Sequence, residues 1–156
     1  MAVTLQFEPW ADCWRDLLPI WQGPHARETV APQDWRLQVN PNVEGIQNLE
    51  DAGALVLCTL REDGRLIGYC LALVLPDFSC QQVLMGNIML YYIAPPFRGQ
   101  GWWTRMLTLM EDDLYLRGAA CSFLGTKAHM TTGPQMAHAG YHPYGMQWIK
   151  WFEKDT

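Results

Sequence analysis

The chain has 156 residues, of which 49% are apolar, 17% charged and 12% aromatic. This length predicts a single domain, residues 1–156, with a substantial core, and the apolar content excludes a disordered chain. The net charge of −5, without a face rich in lysine and arginine, argues against nucleic acid as the main ligand. The longest nearly unbroken apolar run, Leu66–Leu75, is too short to cross a membrane.

The first third of the chain predicts a strand followed by helices. Val3–Phe7 alternates apolar and polar residues, which is typical of a short strand. Trp10–Trp21 repeats apolar residues at helical spacing, and Pro19 near its end is expected to stop that helix. Residues 23–48 carry three prolines and only weak periodicity, so one short helix around His25–Val30 is expected, with loops on either side.

The middle of the chain predicts a meander of three strands. Ala54–Leu60 and Arg65–Leu75 are rich in leucine and valine, and the turn Arg61–Gly64 between them contains Asp-Gly, a strong hairpin signal. A loop follows at residues 76–82, and Leu84–Ile93 is the third strand.

The last third predicts a helix, a strand, a short helix and a final strand. Their expected ranges are Gly101–Leu116 with a stop at Gly118, Ala120–Gly125, Pro134–Ala139 and Met146–Phe152. A hairpin meander joined to a strand–helix–strand crossover predicts a mixed sheet with helices on its faces. The predicted fold class is therefore α+β, or mixed α/β.

The stretch with a clear chemical signature begins where the third strand ends. After Ile93 the chain runs through Pro95 and Pro96 into Arg98–Gly101, and an amphipathic helix starts at once. Glycines leave amide hydrogens unshielded, and a helix N-terminus adds unpaired N–H groups and partial positive charge. Together with the Arg98 guanidinium these features favour a phosphate or diphosphate site. The alternative is an ordinary strand–helix turn.

This stretch resembles the acyl-CoA loop of the GNAT superfamily of N-acetyltransferases, in which Arg/Gln-x-x-Gly-x-Gly/Ala follows a strand ending in Val-x-Pro. Arg98 and Gly101 match the first two fixed positions, and Ile93-Ala94-Pro95 matches the strand end. The turn and strand at residues 63–69 and the Ala-Gly-Tyr at 139–141 also resemble that superfamily, and so does the order of elements. Two short stretches, residues 25–28 and 126–129, resemble a subgroup found in phages and prophages.

The resemblance implies a mostly antiparallel mixed sheet whose strands splay at the acyl-CoA site. It implies acetyl-CoA as acyl donor and direct attack of an amine on the thioester carbon. Pantetheine is expected to pair with the main chain near Tyr91–Ile93, where an N–H would hold the developing oxyanion. The implied coenzyme-binding residues are Tyr91, Ile93, Arg98, Gly99, Gln100, Gly101, Trp102, Trp103 and Thr104.

The sequence departs from the superfamily's pattern at three places. The third small position of the loop holds Trp103, which either repacks the contact between helix and sheet or narrows the pocket. Met136 stands where many GNAT enzymes carry a tyrosine that protonates the departing thiolate. The strand before the loop contains no Asp or Glu to deprotonate the amine. Candidates for that catalytic task are Glu28, Tyr92 and His129, with Tyr91 or a chain of water molecules left open.

Two classes of function remain open at this stage. The leading interpretation is an acetyl-CoA-dependent N-acetyltransferase, and the rival is an inactive GNAT-fold protein with a binding, inhibitory or virion-associated role. The acceptor is expected to be a small-molecule or protein amine, and the protein to be a monomer or homodimer.

The cysteines and histidines predict no metal site. Five cysteines form no C-x-x-C pair and are interpreted as small buried hydrophobes, and the four histidines lack metal-ligand spacing. Free thiols suit a reducing compartment, and no basic start with an apolar run opens the chain. We therefore expect a cytoplasmic protein without a secretory signal.

Overall fold

The computed structural model describes residues 1–34, 36–130 and 132–152. The strands are β1 (Val3–Phe7), β2 (Leu55–Glu62), β3 (Arg65–Pro76), β4 (Leu84–Ile93) and β5 (Ala119–Leu124). The helices are α1 (Trp10–Ile20), α2 (Ala26–Thr29), α3 (Val43–Asp51), α4 (Trp102–Leu116) and α5 (Gly133–His138). The fold class is α+β with a mixed sheet, as the sequence predicts.

The strands form one sheet in chain order, β1-β2-β3-β4-β5. The first four pair antiparallel, and β5 lies parallel to β4 because α4 carries the chain back across the sheet. The β2–β3 turn is built as predicted, with Asp63 and Gly64 at φ values of 48° and 84°. Two successive positive φ values match the right-handed twist of the hairpin strands.

The two faces of the sheet carry separate apolar cores. On one face α4 packs its stripe of Met106, Leu107, Met110 and Leu114, each at most 2% exposed. On the other face the fully buried Trp10 and Leu17 of α1 pack against β2, β3 and β4. The helical spacing in the sequence predicts both stripes.

Helix α1 does not stop at Pro19. The chain continues through Ile20 and a wider π-helical turn, Trp21–His25, into α2. A proline has no N–H to donate, so inside a helix it removes one backbone hydrogen bond and costs stability. The burial of Trp10 and Leu17 anchors α1 on the sheet and offsets this local cost.

Two further predictions were wrong. Residues 43–51, expected to lie largely in a loop, form α3, and the Asn42 side chain caps it by accepting from Gly45 N–H at 2.9 Å. The expected strand Met146–Phe152 does not form, since these residues pair with no strand in the described part of the chain. Trp148 is instead 87% exposed.

The cysteines divide into two groups. Cys13, Cys58 and Cys70 are buried, as predicted, whereas Cys80 and Cys121 are exposed, so that interpretation was wrong for the latter two. Within the described residues, no group of three or more histidines, cysteines and acidic residues is placed to hold a metal ion. Across the same residues, every helix is too short or too polar to span a membrane.

Candidate functional site

A gap between β4 and β5 opens halfway along β4, because β5 ends there while β4 continues. The pairing of the two strands ends at Ile88 and Leu124. Just beyond, the β3–β4 register shifts, which leaves Met89 as an extra, bulged residue. A bulge bends its strand and increases the local twist. The C-terminal half of β4 therefore stays paired with β3 and has no partner on the β5 side.

The main chain of β4 faces this gap at two positions. Ala94 N–H donates to Ile67 O of β3 at 2.8 Å. In an antiparallel pair the direction of the backbone groups alternates from residue to residue. The N–H and C=O groups of Tyr91 and Ile93 therefore point toward the side from which β5 has departed, and both residues were predicted as coenzyme contacts.

The side chain of Tyr91 crosses the gap. Its hydroxyl donates to Gly125 O, just past the end of β5, at 2.9 Å. Its ring packs against the Trp103 indole, with ring centroids 4.8 Å apart. Trp103 thus repacks the contact between helix and sheet, which is one of the two outcomes expected for a large residue there. Burial raises the pKa of the Tyr91 phenol.

The glycine loop leads from this gap to the start of α4. Gly99 and Gly101 have φ values of 75° and 83°, and a Cβ atom built on either would meet nothing within 4 Å. The first turn of α4 contains no acidic residue. Its unpaired N–H groups and the open backbone of the loop form the kind of surface that binds an anion.

The remaining loop residues lie around this surface. The Trp102 indole carries the Arg105 guanidinium over its ring at 4.5 Å. Gln100 donates from its side-chain amide to Pro96 O at 3.1 Å, which braces the loop. Thr104 is exposed on the first turn of α4.

Arg98 ties the loop to its surroundings. Its Nε–H donates to Ile93 O at 2.7 Å, and a terminal nitrogen donates to Glu28 Oε1 at 2.6 Å. The sequence predicts this guanidinium as a phosphate ligand. In the structure two of its donors bind the backbone of β4 and the carboxylate of α2, and these contacts shape the loop.

The three predicted catalytic residues meet on the sheet face opposite α4. His129 bonds through Nε2 to Glu28 O at 2.8 Å. Because a carbonyl only accepts, Nε2 carries the hydrogen in this contact, which leaves Nδ1 as the ring nitrogen able to take a proton. Tyr92 lies under Arg98, with the guanidinium 5.6 Å from its ring centroid. Glu28 thus joins residues that follow β4 and β5 across the gap.

A buried aromatic cluster that the sequence does not reveal supports this group. His25 is 3% exposed, and its Nδ1 bonds to the Tyr69 hydroxyl at 2.5 Å. Its ring contacts Tyr92, with centroids 5.2 Å apart. Burial lowers the pKa of His25 to about 4, so the ring is neutral and accepts from the phenol.

Comparison with known proteins gives a family and a fold. A sequence model of the acetyltransferase (GNAT) family matches residues 10–133. Comparison with curated protein sequences finds no significant match. Many solved structures share the fold. The three described below have low sequence identity to this chain.

Three of these structures are representative. A GCN5-related N-acetyltransferase from Ralstonia eutropha superposes with a TM-score of 0.76 at 17% identity, over 96% of this chain and 99% of that one. Glucosamine-6-phosphate N-acetyltransferase from Arabidopsis thaliana gives 0.72 at 13% identity, over 98% and 100%. A predicted acetyltransferase from Clostridium acetobutylicum, solved with acetyl-CoA, gives 0.71 at 15% identity, over 97% and 96%.

Proposed function

The chain belongs to the acetyltransferase (GNAT) family, and we propose that it is an N-acetyltransferase that takes the acetyl group from acetyl-CoA. The observation that carries this proposal is the gap between β4 and β5. It opens beyond Ile88 and Leu124, and the glycine loop and the start of α4 follow directly from its β4 side.

The donor would lie along the gap on the α4 side. The main chain of Tyr91 and Ile93 would pair with pantetheine, as a strand pairs with its neighbour. The amides of residues 99–104 would hold the diphosphate, since open backbone and a helix N-terminus favour an anion. A main-chain N–H of β4 would hold the oxyanion that forms at the thioester, and such donors contribute about 3–4 kcal/mol elsewhere.

The acceptor amine would approach from the opposite face, where His129 lies. The amine nitrogen attacks the thioester carbon and gives its proton to Nδ1 of His129. Glu28 positions the His129 ring through its main-chain oxygen. The Tyr92 ring lies under the Arg98 guanidinium and supports it. A positioned base contributes about 10²–10⁴-fold to the rate.

The acceptor class and the setting of the protein are part of the same proposal. The acceptor is an amine of a small molecule or of a protein, and a net charge of −5 suits a cationic one. The five cysteines are free thiols, which favours the cytoplasm. The protein would act there as a monomer or homodimer.

Calorimetry with CoA and acetyl-CoA tests the donor, and thiol release across a panel of amines tests the transfer. We expect heat of binding with both ligands and release of thiol with at least one amine. No binding at millimolar ligand would contradict the proposal. Binding without thiol release from any amine would favour the inactive, ligand-binding alternative.

A further inference from the structure

The Tyr91 hydroxyl lies inside the gap between β4 and the chain that follows β5. The residue stands three positions beyond Ile88, where the pairing with β5 ends, and its phenol reaches Gly125 O on the far side. The Trp103 indole holds the ring in this direction from α4. Any thioester that enters the gap on the α4 side therefore comes close to this O–H group.

The other tyrosines do not reach this position. Tyr69 and Tyr92 belong to the core on the opposite face of the sheet, and Tyr115 and Tyr144 are 79% and 80% exposed. Tyr141 lies on the α4 side, but its hydroxyl donates to Ser122 Oγ at 2.9 Å, beside the paired half of β4 and outside the gap.

Neither Ser122 of β5 nor Met136 of α5 supplies another proton donor at the gap. Ser122 pairs with Gly86 in the closed half of the β4–β5 ladder. Met136 on α5 is 8% exposed and has only a thioether, which carries no proton to give.

The surroundings of Tyr91 suit a proton donor. Burial raises the pKa of the phenol, with hydrogen bonds from Thr126 and Thr132 opposing that shift, so Tyr91 keeps its proton at neutral pH. Cys70 on β3 is the titratable group that faces it, and α4 presents the uncharged Trp103. The hydroxyls of Thr126 and Thr132 bond to each other at the surface, which links the phenol to solvent.

We propose that Tyr91 is the catalytic acid that protonates the coenzyme thiolate, a role that rests on the acetyl transfer proposed above. The amine nitrogen forms its bond to the carbonyl carbon, and the carbon–sulfur bond breaks with its electron pair on sulfur. The Tyr91 hydroxyl turns from Gly125 O to the sulfur and gives its proton to it. The phenolate regains a proton from solvent along Thr126 and Thr132, while His129 releases to solvent the proton it took from the amine.

The thiol pKa of bound CoA tests this role without an acceptor. A group that donates to the thiolate stabilises the charged form and lowers the thiol pKa. The thiolate absorbs in the ultraviolet, so a pH titration of the saturated complex measures that pKa. In Tyr91→Phe we expect the thiol pKa to rise by about one unit, which corresponds to the loss of one hydrogen bond to a charged group. In Tyr141→Phe, which removes a phenol on the same face outside the gap, we expect no rise.

Each outcome of the thiol pKa titration either supports or overturns the role of Tyr91. A rise in Tyr91→Phe alone supports the role, and an unchanged thiol pKa in that variant overturns it while the donor site stands. Tighter CoA binding in Tyr91→Phe without a change of thiol pKa also overturns it, because the phenol would then only obstruct the gap. If wild-type protein does not bind CoA, the proposed function fails and this inference fails with it.

Turnover gives an independent check once an amine acceptor is found. We expect Tyr91→Phe to lower kcat by about 10²-fold with little change in KM for acetyl-CoA. Adding Met136→Tyr to that variant should restore part of the lost kcat, because the new phenol enters from α5. Full kcat in Tyr91→Phe would overturn the role.

Discussion

The Arg98 guanidinium donates to the Glu28 carboxylate at 2.6 Å, across 70 residues of chain. The same guanidinium holds Ile93 O at the end of β4. One side chain therefore fixes the loop that follows β4 against α2. The geometry of the coenzyme loop and that of the acceptor side depend on each other through this contact.

Replacing Arg98 should weaken CoA binding. Arg98→Ala removes a positive charge and the bond that holds Ile93 O, so we expect the Kd measured by calorimetry to rise at least about fivefold, which corresponds to about 1 kcal/mol. Glu28→Gln is the companion variant, because it keeps the bond to Ile93 O and removes a negative charge beside the loop. That variant should bind CoA more tightly than wild type. Unchanged affinity in Arg98→Ala would mean that the loop is misassigned.

A Cβ atom at Gly101 should also weaken CoA binding. Gly101 has a φ of 83° and open space around it, so Gly101→Ala places a methyl group where the anion approaches and adds left-handed strain. We expect the Kd for CoA to rise about tenfold and the protein to lose about 1 kcal/mol of stability.

Gly64→Ala is the matched control for that substitution. Gly64 has a φ of 84°, also with nothing within 4 Å, but it lies in the β2–β3 turn. Denaturant unfolding should show a similar loss of stability in both variants, with CoA affinity reduced only in Gly101→Ala. Equal losses of affinity would show that the effect at Gly101 comes from general destabilisation.

The elements with strong local signals could be predicted from the sequence. Asp63-Gly64 encodes a hairpin turn in two residues, and Gly101 next to an amphipathic stretch encodes the loop and the start of α4. Whether residues 146–152 form a strand could not be decided from local sequence, because a strand exists only when a second strand pairs with it. Helix α3 was missed because the apolar residues of this segment recur with only weak helical periodicity, although Asn42 is a good N-cap residue.

The candidate site shows the same limit at longer range. Glu28 and His129 lie 101 residues apart, and a sequence contains no direct record of which distant residues meet. The family resemblance suggested both residues without their contact. The burial of His25 could not be predicted for the same reason. Its partner, Tyr69, lies on a strand 44 residues away, and the hydrogen bond to that partner is what allows the imidazole to be buried.

Replacing His129 should slow the transfer without affecting the donor. His129→Gln keeps an N–H that can donate to Glu28 O but lacks a basic nitrogen. With an amine that releases thiol, we expect kcat to fall about 10²-fold or more, while the Kd for acetyl-CoA stays as in wild type. A full kcat in this variant would show that another group or a water molecule takes the amine proton.

His25 should make the stability of the protein depend on pH. The pKa of His25 in the folded protein is lowered by burial to about 4 from its ordinary value of 6.5. Between these values the unfolded chain binds a proton that the folded chain does not, so the free energy of unfolding falls as the pH drops from 6.5 toward 4. Above pH 6.5 both states are neutral, and this stability is fully present.

Denaturant unfolding at pH 8 and pH 5 measures the effect, which should be about 2 kcal/mol for wild type from this one group. His25→Gln keeps an acceptor for the Tyr69 hydroxyl but does not titrate, so the difference between the two pH values should shrink by that amount. Tyr69→Phe keeps the buried imidazole but removes its hydrogen bond with the Tyr69 hydroxyl. The loss of that bond should lower stability at both pH values, and the retained imidazole should preserve the difference between them. If His25→Gln and wild type lose the same stability between pH 8 and pH 5, the imidazole takes up its proton in the folded state as readily as in the unfolded chain.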